Sequence, residues 1–99
     1  MPLDLATFEH SLAADRPPQG LDRALLAIWH GLRGAWDTAH ALVQEAEGEP
    51  ACDWVHAWLH RIEGDLGNAA YWYRRAGRAP ASGPTAAEGR AIAAALLAR

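Results

Sequence analysis

The chain contains no lysine, and its nine basic residues are all arginines. It has a single cysteine, Cys52, so a framework of internal disulfides is excluded. Serine occurs only at Ser11 and Ser82. Both lie near helix breakers or at a helix margin, and neither is accompanied by a histidine and an acid in a nucleophilic set. No apolar run approaches the roughly 20 residues that cross a bilayer. The N-terminus lacks a basic stretch followed by an apolar one, so no signal peptide is read and the cytoplasm is the expected location. No strand-like alternation is present, hence no strand that could lead into a glycine-rich phosphate loop. No pair of carboxylates has a reason to differ in acidity. These absences point away from an enzyme, and no cofactor is called for.

The 99 residues allow one domain with a modest core. The formal charge is -3, which argues against a surface built to embrace nucleic acid. Half of the residues are apolar, but many are alanine, which favours helix while burying little area. The large apolar load therefore falls on five tryptophans and on the leucines and isoleucines.

The most informative pattern is a repeat of 30 residues. Laying 21–50 over 51–80 pairs Ala27 with Ala57, His30 with His60, Gly34 with Gly64, Ala39 with Ala69, Ala46 with Ala76, and Pro50 with Pro80. A period of this size marks stacked helical hairpins. The apolar spacing predicts six helices, at about 4–14, 21–33, 36–47, 51–63, 66–77 and 85–98. Asp4 caps the first. Arg16-Pro17-Pro18-Gln19-Gly20 breaks the chain after it, Gly34 and Gly64 close the second and fourth, and 78–84 is a loop. Thr85 with Glu88 reads as a capping box for the last helix. The expected organisation is a single all-α domain: a capping helix and proline-rich linker over 1–20, repeat units over 21–50 and 51–80, and a second capping helix over 81–99.

Gly34-Ala35-Trp36-Asp37-Thr38-Ala39-His40 and Gly64-Asp65-Leu66-Gly67-Asn68-Ala69-Ala70 resemble the inter-helix turn and second-helix start of a tetratricopeptide repeat. Gly34, Trp36, Ala39 and Ala46 match that pattern, as do Gly64, Leu66, Ala69 and Ala76, and Tyr73 falls where the family often carries an aromatic. The glycines permit a tight turn, and the alanines allow close helix approach. The period of 30 is shorter than the family's about 34, and two units are fewer than the roughly three that repeat stacks need. The first and last helices are therefore expected to complete the core. The stretch 53–78, with its Tyr-Trp-Tyr-Arg-Arg-Ala-Gly-Arg run, also looks like a family of short uncharacterised bacterial proteins, a likeness that brings no function with it.

The resemblance implies a concave groove lined by the first helix of each unit. There Trp54 and Trp58 stand one turn apart, opposite Ala24 and Ile28 of the first unit, with Arg61 at the rim. The leading functional expectation is thus a small non-catalytic interaction module whose aromatic groove takes a peptide or protein partner of unspecified identity. Ordinary core packing of the same tryptophans is the competing account. Self-association through exposed aromatics, giving a homo-oligomer, is another.

Cys52, His56 and His60 occupy successive turns of the fourth helix. Histidines four apart can chelate one ion, but Cys52 and His60 stand about 12 Å apart along the axis. His56 and His60 would need help from His40 or His30, and Ala57-Trp58-Leu59 between them lacks the glutamate of the metalloprotease pattern. Buried imidazoles bonded to a carbonyl, Tyr71 or Tyr73 are the structural account of these residues. Arg74, Arg75 and Arg78 beside Tyr71, Trp72 and Tyr73 form the one basic and aromatic patch. Nearby Glu63 and Asp65 favour reading it as a solvated helix end that complements the helix dipole.

Overall fold

The computed structural model describes residues 3–99, and these form six helices and no strands. They are α1 (Leu5–Ser11), α2 (Arg23–Leu32), α3 (Trp36–Gln44), α4 (Pro50–Glu63), α5 (Leu66–Ala76) and α6 (Thr85–Leu97). The all-α class and the helix count agree with the sequence reading.

Short polar side chains start four of the helices. Asp4 accepts from the Thr7 amide at 2.8 Å, Asp22 from Leu25 at 3.0 Å, and Asp65 from Asn68 at 3.2 Å. The Glu49 carboxylate accepts from both Ala51 and Cys52, with Pro50 in the first turn where its missing donor costs nothing. At the two α–α turns, Gly34 and Gly64 take φ of 82° and 87°. This left-handed backbone lets the next amide return to the helix: Ala35 bonds to the His30 carbonyl and Asp65 to that of His60. The expected capping box at α6 does not form. Pro84, whose ring has no acceptor, is the cap residue in place of Thr85, and the Glu88 carboxylate is engaged elsewhere.

α4 is the centre of the molecule and packs against α2, α3, α5 and α6. α2 pairs with α3, α4 pairs with α5, and α1 rests on α6. α6 reaches α4 because Gly31 and Gly89 carry no side chain: a Cβ on either would lie within 3 Å of the Trp58 ring. Trp58 is consequently 1% exposed, and its indole N–H donates to the Thr85 carbonyl at 2.7 Å. Phe8, Ile28, Trp29, Val43, Val55, Leu59 and Ile92 complete this main core. A smaller core of Ala57, Ala69, Trp72 and Tyr73 joins α4 to α5.

The aromatic groove expected from the sequence is closed. Ala24, Ile28 and Trp58 are all buried, and α6 packs against both α2 and α4. Arg61 is not a free rim cation. Its guanidinium pairs with Glu88 at 2.7 Å, and it also donates to the Gly83 carbonyl. The other Glu88 oxygen accepts from the Tyr73 hydroxyl, so a single carboxylate fastens α6 to both α4 and α5. Trp54 and Arg61 of the expected set keep partial exposure, and Arg78 lies over the Trp54 ring at 3.8 Å.

Candidate metal centre

The polar side of α4 faces α3 and α5, away from α6. His56 and His60 are one turn apart on this side and are both buried. α3 brings His40 to meet them, half-buried at the edge. One ring nitrogen from each of the three residues lies within 4.8 Å of the other two. The Nε2 atoms of His40 and His56 are 3.1 Å apart. Two neutral imidazoles at that distance share one proton, one ring donating and the other accepting. About 3.3 Å is the separation of two nitrogens on a tetrahedral ion with bonds of about 2.05 Å, so the pair already stands close to chelating distance.

Aromatic rings hold the imidazoles in place. Trp36 stacks on His40, with centroids 4.6 Å apart, and Trp72 stacks on His56 at 3.9 Å. The Trp36 indole N–H is itself anchored on the Leu59 carbonyl at 2.7 Å. His60 is oriented differently: its Nδ1 meets the Glu63 carboxylate at 2.5 Å, leaving Nε2 as its other ring nitrogen. A carboxylate on the outer nitrogen of a histidine fixes the tautomer and makes the inner nitrogen a better donor of its lone pair. His56 Nδ1, in contrast, is buried and has no hydrogen-bond partner among the described residues.

Burial pulls the His56 pKa down to about 4, with smaller contributions from the nearby His60 and His40 rings. Burial also lowers His40, followed by His60, while Glu63, Asp37 and Glu47 oppose the shift. Both rings are therefore neutral at pH 7, which is the form that ligates metal.

The remaining sequence candidates do not join this cluster. Cys52 faces the α2 side beside Ala24 and Ala46 and lines a pocket with them. Burial, then its bond and proximity to Glu49, pushes its thiol up to about 12, so it is inert as a nucleophile. His30 packs edge-on against Trp29 and does not share the environment of His60, although the repeat pairs them. Neither Tyr71 nor Tyr73 serves as a partner to a buried histidine: Tyr71 accepts from Arg75, and Tyr73 donates to Glu88. In the basic patch Arg75 lies over the Tyr71 and Trp72 rings and Arg78 over Trp54, while Arg74 is exposed. Arg75 and Arg78 thus lie over the chain's own aromatics. The exposed large apolar residues are Ile62, Leu66 and Tyr71.

The sequence named His56 and His60, with His40 as a possible third ligand, as an alternative to a purely structural role for these histidines. It did not connect Trp36 or Trp72 with the imidazoles. The Glu63 contact had a readable signal, since residues three apart on a helix are neighbours. No helix among the described residues is long and apolar enough to cross a membrane. No family model, no curated protein and no solved structure matches this chain.

Proposed function

We propose that this protein binds a divalent transition-metal ion, zinc in the first instance, through His40, His56 and His60, on a scaffold of two tetratricopeptide-like hairpins. The convergence of three imidazole nitrogens within 4.8 Å carries the reading. The Glu63 carboxylate behind His60 and the stacked rings of Trp36 and Trp72 support it, because a metal site needs its ligands oriented before the ion arrives. Imidazole suits zinc, copper, iron and nickel, and zinc accepts the tetrahedral arrangement without redox demands. The scaffold reading is supported by the matched turns at Gly34 and Gly64 and by the complete burial of the matched Ala27 and Ala57.

The test uses protein purified without a histidine tag. Titration calorimetry with zinc should give about one equivalent per chain, and excess zinc should raise the melting temperature through preferential binding to the folded state. His40→Ala sits at the half-buried edge and should fold while losing this binding. Failure to take up zinc, together with an unshifted melting curve, would remove the proposal.

A further inference from the structure

We infer that the ion held by His40, His56 and His60 keeps one coordination position for an exchangeable small ligand, water or a small anion, that enters from the His40 side. This inference rests on the metal-binding reading above and deepens it. Structural zinc sites are closed by four protein ligands, whereas three histidines leave one position open. Among the described residues the histidine group has no fourth member; His60 also groups with Glu63 and Asp65 within 4.8 Å, but those two carboxylates are exposed and do not group with His40 and His56. The Trp36 indole N–H can only donate, and it is spent on the Leu59 carbonyl. Trp72 presents a ring face to His56. Cys52 belongs to another face of α4 and does not group with the three histidines.

Glu63 is the carboxylate hydrogen-bonded to a ligand residue: it meets Nδ1 of His60, which leaves Nε2 for the ion. The two nitrogens of an imidazole direct their bonds away from each other, so a carboxylate on Nδ1 is turned from an ion on Nε2. Glu63 therefore orients His60 and does not complete the coordination sphere. Access is asymmetric. His56 and His60 are buried beneath α3 and α5, while His40 is half-exposed between the exposed Asp37 and Ala41. The open position is reached past His40, and the absence of a protein anion in the first shell leaves the bound divalent ion with its full charge. A small anion is the ligand class this charge recognises.

Cobalt(II) substitution in the full chain tests the inference, with azide as the probe. The cobalt protein should show the intense visible bands of a four-coordinate ion, and azide should shift them saturably at about one azide per metal. Glu63→Ala should keep the azide response, with weaker metal affinity by roughly 10–100-fold from loss of the orienting carboxylate. Cobalt bound at one equivalent with bands indifferent to azide would overturn the open position and leave metal binding standing. A variant that gains an azide response absent from the parent would assign Glu63 as the fourth ligand, and so would also overturn it. No cobalt uptake at all would remove the metal-binding reading and this inference with it.

Discussion

α4 is buried on two sides by two different chemistries. Toward α6 it presents Trp58, packed against Gly31 and Gly89, with its only polar atom satisfied by the Thr85 carbonyl. Toward α3 and α5 it presents His56 and His60, stacked among Trp36, Trp72 and His40, with one buried nitrogen left without a partner. Around Trp58 the first side is filled, and its large apolar burial serves stability; a pocket remains between α4 and α6 only toward Trp54, Ala95 and Leu96. The second side keeps polar atoms inside the protein at a cost of about 1–3 kcal/mol for an unmade hydrogen bond. A chain with so small a core has little reason to carry that cost for packing alone. The contrast separates Trp58, whose one polar atom is satisfied within the core, from His56, which keeps a buried nitrogen without a partner among the described residues.

The sharpest way to break this comparison is Trp58→Ala. It should destabilise the protein by about 3–5 kcal/mol in urea denaturation, the range for emptying a large aromatic site in a core. A loss below about 1 kcal/mol would mean that the α6 side is not core, and the aromatic groove would return as a candidate. Next in size is Glu88→Ala. It leaves the Arg61 guanidinium largely buried without its charge partner and removes the acceptor of the Tyr73 hydroxyl. A loss of about 3 kcal/mol is expected. Normal stability would show that α6 is held by Trp58 contacts alone.

The smallest effect sharpens the histidine side. In metal-free protein the His56 pKa is lowered from its ordinary 6.5 to about 4. The unfolded chain then binds more protons than the native one below pH 6.5. Stability from this group is fully present above that pH and is lost as pH falls toward 4, by roughly 1–3 kcal/mol. The groups facing His56 are His40 on α3, His60 on α4 and the Trp72 ring on α5, and His40 shifts in the same direction. Denaturation midpoints measured between pH 7 and 4 check this, with His56→Phe as the reference. A parent whose acid sensitivity equals that of His56→Phe would place the titration elsewhere.

Much of the fold was legible because its signals are local. Asp4 as a cap, Gly34 and Gly64 as turns and the apolar stripes each act within a few residues, so six helices could be placed to within a few residues of their ends. α1 and α3 stop earlier than their patterns suggested. α3 gives way to tightened turns before Gly48, whose φ is 97°. The site was legible only in part. His56 and His60 share a face by helical spacing alone, but nothing in their neighbourhood selects His40 over His30. Glu88 shows the same limit: its position three residues after Thr85 satisfies a local capping pattern, yet Arg61 and Tyr73, distant in sequence, compete for it and win.

The sequence by itself determined the helical class, the number of helices, the glycine turns and the pair of histidines one turn apart. Each follows from backbone preferences and a period of 3.6 residues. The tertiary structure decided which side of α4 is sealed and which keeps its polar atoms. That choice depended on where α6 docks, and the docking was set by two glycines and one carboxylate meeting partners on other helices. Contacts of that kind have no period along the chain, which is why the sequence left Trp54 and Trp58 open between groove and core, while the fold buries Trp58 and leaves Trp54 partly exposed.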